Sequence, residues 1–586
     1  MKKYKNISRF SQTIKTLAVG AVVAMTCSCE DFLTIYPTNQ VVLENYWKTK
    51  TDVNNMVANS YRLMTTQNFT KRLIVWGEVR GDNVVEGVNL TGDLKHIMEA
   101  NLLPQNGYND WAVFYETINN CNIVMKFAPQ VLDEDPDFTE GDLDVVRGEM
   151  LAIRALCHFY LVRTFRDIPL LKEAKIDDNQ NLYQPQATPL EALDFILEDL
   201  YEAENLVMAS GRYPTIAENK GRITKDAVRA IIADALLWKA AFEEYYTEGN
   251  SPNVKEYYTK CAEYCDMIIN DRNAYVKQYE SENKNSVSNI GWVDDTYPLE
   301  HHPLTNTVLD NPYTRIFGSN NNVRESIFEI QHSNESENGN YQVPSFYGSY
   351  KVGGFTTGPL SAPLYMAKSS DDMYKATDYR RVSYIEQKEG EVDVYPILKF
   401  SYNNATGTMD KPVYGSTKIS ENGYIETQTN WMVYRITDVM LMKAEALAFR
   451  NDTTAANNAD LNQSFDLVKA VYYRSNPYVK STDSISYAQG SAQDLQELVL
   501  KERQRELAFE GKRWFDLVRK ALRDRTTGPM LDILISNKYE SNQKAIRTKM
   551  SAIDCLFFPI LEREINTNPL LNQNPAYETD DVYEKN

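Results

Sequence analysis

Apolar residues recur at helical spacing along most of the chain, and the places where they stop define its organisation. Val53, Met56, Val57, Tyr61 and Met64 predict a helix within 38–75, with Asn45 or Thr51 as its cap. The run from Leu73, LIVWGEVRGDNVVEG, reads as a strand-like stretch followed by a Gly/Asp/Asn loop. From Tyr108 the helical period strengthens. Trp111, Phe114/Tyr115, Ile118 and Cys121/Asn122 share one face, and a partner helix spans 143–166, where Ala152 and Ala155 allow close approach. Further helices are predicted over 190–207, 224–245 (capped by Thr224) and 253–270. Residues 276–430 lose the period and gain turn signals such as Asn338-Gly339 and Gly353-Gly354, with one clean strand at 325–331. Helices resume over 433–450, 461–475 and 495–520.

The expected fold is therefore mainly α. Helical hairpins of about 34 residues with small residues at the crossings match tetratricopeptide-type stacking, although the period is imperfect. Between the helical blocks lies a loop-rich, aromatic-containing insertion with few short strands. The expected divisions are a leader (1–28), an N-terminal segment with loops (29–107), a helical region (108–275), the insertion (276–430) and a C-terminal helical region with a tail (431–586). Function tends to sit in loop-rich insertions of this kind.

The first residues change the picture of where the chain works. Lys2, Lys3, Lys5, Arg9 and Lys15 precede an apolar run from Leu17 to Met25, which ends at Ser28-Cys29. Basic, apolar, then small is an export signal, and the run is shorter than the roughly 20 apolar residues of a membrane-spanning helix. A cysteine at the cut is the lipoprotein variant, so Cys29 is the expected lipidation site, with Cys27 a poorer rival. Acyl chains hold a protein at a bilayer without a spanning helix. The formal charge is −19, and losing five basic and no acidic leader residues takes it to −24. Such acidity speaks against nucleic acid, whose phosphates require a basic stripe. It also speaks against charge-driven docking on anionic lipid. Past the leader and the lipidated Cys29 five cysteines remain, Cys121, Cys157, Cys261, Cys265 and Cys555, and they read as buried free thiols.

Catalytic signatures are missing from the sequence. It has no HExxH, GxSxG, Walker A or GxGxxG motif, and its five histidines form no pair at helical metal-ligand spacing. Asp133, Asp135 and Asp137 resemble the start of a calcium loop, but Phe138 stands where that loop needs Gly, so a solvated connection is expected. Glu502, Arg503, Arg505, Glu506, Glu510, Arg513 and Asp516 look like acid–base machinery. At i,i+3 and i,i+4 spacing they are expected instead to be helix salt bridges with a structural role. No metal or cofactor is expected.

Binding is better supported. A sugar offers apolar C–H faces rimmed by hydroxyls, so its site needs aromatic platforms beside amides, carboxylates and arginine. Two stretches carry that mix. One holds Arg80, Asp82 and Asn83, followed by Asn106 and Tyr108. The other is the insertion, with Trp292, Tyr297, Tyr341 and Tyr347. Trp76, Trp111, Trp238 and Trp514 are expected in the core.

Six stretches then carry a resemblance: CEDFLTIYP after the leader; DWAVFYETINNCN; RGEMLAIRALCHFYLVRTFRDIPLL; GRITKDAVRAIIADALLWKA; YRITDVMLMKAEAL; and KERQRELAFEGKRWFDLVRK with the terminal FPILEREINTNPLLNQNP. In this order the chain resembles the SusD/RagB family of Bacteroidetes outer-membrane nutrient-binding lipoproteins. Glu30 and Asp31 after Cys29 are similar to the surface-export signals of such lipoproteins. The resemblance implies a glycan-binding, non-catalytic protein, lipid-anchored in the outer membrane and facing the cell exterior. It implies a SusC-like TonB-dependent porin as partner, over which the lipoprotein closes as a lid. It also implies ligand contacts from the loop before the Trp111 helix and from the insertion. An oligopeptide cargo, as in the RagB branch, and a purely structural tetratricopeptide adaptor are the alternatives.

Overall fold

The structure, a computed structural model, describes residues 46–177, 179–282, 296–300, 311–317, 322–332, 339–351, 354–367, 373–385, 395–400, 418–419, 425–426, 429–450, 458–477 and 484–578. The leader, Cys29 and Trp292 lie outside these residues.

Among the described residues the scaffold is built on α1 (Lys50–Thr65), α2 (Gln67–Ile74), α3 (Ala112–Phe127), α4 (Glu140–Phe165), α5 (Pro189–Leu206), α6 (Lys225–Tyr246), α7 (Asn253–Glu282), α8 (Ile436–Arg450) and α9 (Ala459–Ser475). From α1 each of the longer helices packs on the next: α1 on α3, α3 on α4, α4 on α5, α5 on α6, α6 on α7, α7 on α8 and α8 on α9. This is the stacked-hairpin arrangement expected from the periodicity. Small residues permit it. Ala152 and Ala155 of α4, and Ala227, Ala230 and Ala233 of α6, are fully buried. Two C-terminal helices complete the scaffold, α10 (Ala492–Glu506) against α8 and α9, and α11 (Arg513–Asp524) against α6.

Helix starts follow capping chemistry. Thr49, rather than Asn45 or Thr51, caps α1, with Asp52 completing a capping box. Thr139 and Asp142 do the same for α4. The calcium-like acids are absorbed into this connection: the Asp135 carboxylate accepts the backbone N–H groups of Lys50 (2.8 Å) and Asp137 (3.0 Å).

Two sequence expectations are corrected. The run from Leu73 is no strand: α2 continues into a π-helical turn, Val75–Val79, buried throughout. An apolar run buried on every side has no period that separates strand from helix. The 495–520 run is also not one helix. It breaks into α10 and α11 at a turn where Phe509 (φ 68°) and Gly511 (φ 70°) are left-handed.

Sheet structure is slight. The predicted strand at 325–331 forms as Ser326–Ile330 and pairs antiparallel with Trp431–Arg435, which leads directly into α8. Val85–Glu86 pairs with Leu360–Ser361. That second pair matters for function, because it binds part of the insertion to the loop region before α3. Tyr365 reinforces the junction, its hydroxyl donating to the Asp82 carbonyl (3.0 Å). Trp76, Trp111, Trp238 and Trp514 are buried, as expected. So are the unbridged Cys121, Cys157, Cys261 and Cys265, while Cys555 is half-buried. Among the described residues no helix is long and apolar enough to cross a membrane.

Candidate binding face

The turn before α3 is pinned from below. Arg72 of α2 donates to the carbonyls of Asn68 (2.8 Å) and Gly107 (3.2 Å) and pairs with Asp110 (3.4 Å). The Trp76 indole N–H donates to the Tyr108 carbonyl (2.9 Å). Asn106 caps the turn: its Oδ1 accepts the Tyr108 N–H (2.9 Å) and its Nδ2 donates to the Asp93 carbonyl (2.9 Å). Asn109 donates to the Leu103 carbonyl (2.8 Å). With its backbone so held, Tyr108 presents a half-buried ring in a fixed pose.

The insertion reaches this ring through the short helix Gln342–Tyr347. Phe346 lies 6.5 Å from Tyr108 between ring centroids. Gln342 Nε2 donates to Gln67 Oε1 of α2 (3.2 Å), which clamps the insertion to the helical layer. Lys71 Nζ lies 5.9 Å from the Tyr108 ring centroid. Burial, then the neighbouring Arg72, lowers the Lys71 pKa, with Asp110 opposing. Burial, then Asp93, raises that of Tyr108, so its hydroxyl stays neutral near pH 7. Half-buried Tyr341 stands at the start of the same short helix. The face therefore combines an aromatic ring, a cation, amide groups and a second tyrosine. Such groups can stack on and hydrogen-bond a ligand, and among the described residues no cluster of His, Cys, Asp and Glu could hold a metal.

Several predicted contact residues belong elsewhere. Arg80 is 1% exposed: its guanidinium lies 4.0 Å from the Trp514 ring centroid and donates to the carbonyls of Leu556 (2.5 Å) and Cys555 (2.8 Å). Asp82 accepts from Arg513 Nε (2.6 Å), Gln504 (2.8 Å) and Asn537 (2.8 Å). Asn83 donates to Glu78 (3.0 Å). Asn106 is buried beneath the turn it caps. Tyr347 is 1% exposed, stacked on Phe400 at 6.1 Å, and its hydroxyl donates to the Phe509 carbonyl (3.0 Å). These side chains hold the scaffold together, because the Gly/Asp/Asn loop is packed under the C-terminal helices instead of facing solvent. Tyr297 is half-buried against the core. Lys71, Gln67 and Gln342 were missed. Gln67 and Lys71 lie on α2 and Gln342 in the insertion, and only the packing of the insertion brings the three together around Tyr108.

The acid–base constellation at 502–516 is structural, as expected, but its bonds are mostly long-range. Glu506 Oε1 accepts from Arg435 (2.7 Å) and Arg474 (2.7 Å), and its Oε2 from Tyr313 (2.8 Å) and Arg380 (3.1 Å). Glu510 pairs with Arg435 (2.8 Å) and Lys399 (2.6 Å), and Glu502 with Arg380 (2.5 Å). Arg503 bonds Asp438 (2.9 Å) and Asp516 (3.0 Å). Arg505–Glu502 (3.0 Å) is a local i,i+3 pair. Burial favours protonation of Glu506, but Arg474, Arg435 and Arg380 outweigh it and hold the group well below the carboxylate range.

Comparison with known proteins agrees with this architecture. A family model described as "SusD family" matches residues 324–577, and one described as "Starch-binding associating with outer membrane" matches residues 31–237. SusD-like protein P38 of Formosa agariphila is 24% identical over 601 residues, covering 98% of this chain and all of that one. SusD-like protein P2 of the same organism is 24% identical over 513 residues, covering 84% and 88%. Among solved structures, a SusD homolog from Bacteroides thetaiotaomicron superposes with a TM-score of 0.63 at 20% identity, over 91% of this chain and 100% of that one. A laminarin-binding SusD-like protein superposes with a TM-score of 0.60 at 19% identity, over the same shares.

Proposed function

The chain belongs to the SusD family, and from that premise we propose that it is a non-catalytic glycan-binding lipoprotein of the outer membrane. The Tyr108 face carries this reading. A rigidly held ring, with Lys71 and the Gln67–Gln342 amides beside it, suits the apolar face and hydroxyl rim of a sugar. The starch-binding description of the N-terminal match and the laminarin-binding structural neighbour support the ligand class. The leader and Cys29 support a lipid anchor, with the protein facing the cell exterior. On this reading the bound glycan passes to a SusC-like TonB-dependent porin. Tyr341 joins Tyr108 as a contact.

The test is calorimetric titration with starch- and laminarin-derived oligosaccharides. Tyr108→Ala is expected to weaken binding by about 1–2 kcal/mol, the scale of losing one good aromatic contact. Binding of peptides with none of glycans, or glycan binding that ignores Tyr108→Ala and Tyr341→Ala alike, overturns this reading.

A further inference from the structure

Ile168–Pro169 pairs antiparallel with Gln186–Ala187, and the loop between these strands is built rather than slack. The Asn119 amide donates to the Lys175 carbonyl (2.8 Å) while its oxygen accepts the Lys175 N–H (2.7 Å). Asn122 donates to the Leu171 carbonyl (3.0 Å), and Asn568 to the Gln184 carbonyl (3.0 Å). Thus α3 holds one end of the loop and the C-terminal segment the other.

Between them lies a cavity of about 670 Å³, within the range of small-ligand sites. Trp111 and Tyr115, edge to face at 5.4 Å, form aromatic wall, and Tyr108 is not among the lining residues. Asn179, Asn181, Gln184 and Asn568 add amides. Large apolar side chains stand in solvent at its edge: Leu182 is 51% exposed and Tyr183 46%, and Leu570, between Asn568 and Leu571, is 46%. Grouped exposure of this kind at a cavity mouth marks a surface that is covered in use. The two charged lining residues are already engaged. Lys175 Nζ donates to the Asn181 carbonyl (2.8 Å), and Glu564 accepts from Arg563 (3.0 Å). The cavity thus offers rings and amides, with the Lys175 ammonium turned onto a carbonyl and the Glu564 carboxylate met by Arg563.

We propose that this cavity is a second site, for a neutral oligosaccharide, with Tyr183 as its exposed aromatic contact. It shares a ligand class with the Tyr108 reading but none of that face's residues. Rings match the C–H faces of pyranose units, and amides both donate to and accept from hydroxyls.

The test is calorimetry of the full chain with maltoheptaose and laminariheptaose, on wild type, Tyr183→Ala, Leu182→Asp and Tyr108→Ala. Both loop positions are exposed, so these variants should keep the wild-type melting temperature. About tenfold weaker binding, or loss of one of two binding events, in Tyr183→Ala and Leu182→Asp supports the proposal. Binding unchanged by both substitutions, or no binding of either probe by wild type, overturns it. Loss in Tyr108→Ala alone overturns the second site and leaves the first. Loss in the loop variants alone supports the second and counts against the first.

Discussion

His158 is buried at the centre of α4, and its surroundings dictate its protonation. Nε2 accepts the Leu171 N–H (3.3 Å), which leaves Nδ1 to donate to the Arg154 carbonyl (3.0 Å). A second proton would face that N–H. Burial, then the Arg154 charge, lowers the pKa from 6.5 to about 3. The unfolded chain takes up this proton near pH 6.5 and the folded chain does not. Its contribution is therefore present above pH 6.5 and lost as pH falls toward 3, on the order of 5 kcal/mol in all. Glu78 works in the opposite sense. Burial, opposed by Asn83 and the Phe509 and Gly511 N–H groups, raises it to about 7, so its contribution declines as pH climbs from the usual carboxylate range to 7. The difference between wild type and His158→Phe isolates the histidine. Urea midpoints should show the variant less stable by about 1–3 kcal/mol at pH 7, from the orphaned Leu171 N–H, and with a shallower decline between pH 6.5 and 4. An equal decline in both proteins would refute this account.

At the scale of elements, the Val75–Val79 turn meets the α10–α11 turn with no room for a side chain between them. A methyl on Gly77 would sit 1.7 Å from the Gly511 carbonyl oxygen, and one on Gly511 would sit 2.6 Å from the Leu73 carbonyl oxygen. Gly77→Ala is expected to lose at least about 3 kcal/mol, read as a large drop in melting temperature or in folded yield. A near-wild-type melting temperature would show that the two turns can part. The same junction shows what sequence can reveal. Helices such as α1 and α5 were legible because they hide one face and show another, and α4 and α8, buried nearly all round, because their apolar runs are too long for strands. The 73–79 run was not, because it is buried all round. The break in α10–α11 was not, because its charges read as one helix's i,i+4 pairs while their partners lie in Arg380, Arg435 and Arg474. At the candidate face, Tyr108 stands out in the sequence as an aromatic among Asn and Gly. Arg80, Asp82 and Asn83 look equally polar in sequence, and only packing shows that they face Trp514, Arg513 and Glu78.

For the whole molecule, the Glu506 network ties the insertion to the C-terminal helices through residues without measurable exposure, such as Arg380, Arg435 and Lys399. Glu506→Ala would leave several buried cations short of a partner. It should cost about 3–5 kcal/mol in denaturant unfolding, with little change in Glu506→Ala pointing to water in the network. A second consequence is acid sensitivity. Burial raises Asp438, but Lys512 and Arg503 bring it down to about 2, and Glu445 and Glu506 are likewise held low by arginines. Folded pKa values below the unfolded ones mean stability that is full above the ordinary carboxylate range and lost as pH falls toward 2. Unfolding midpoints should therefore drop steeply below about pH 4 and hold less steeply in Asp438→Asn.

The pairing of Asp82 with Arg513, like the seating of Arg80 on the Cys555 and Leu556 carbonyls, joins the two ends of the chain. These residues stand 431 and about 475 positions apart. A ribosome adding about 5–20 residues per second leaves Asp82 waiting roughly 20–90 s for its arginine. Through that interval Arg80 and Asp82, just past the Val75–Val79 turn, have no counterparts, so the nascent chain has no finished state to settle into. Such a polypeptide stays pliable until synthesis is nearly over.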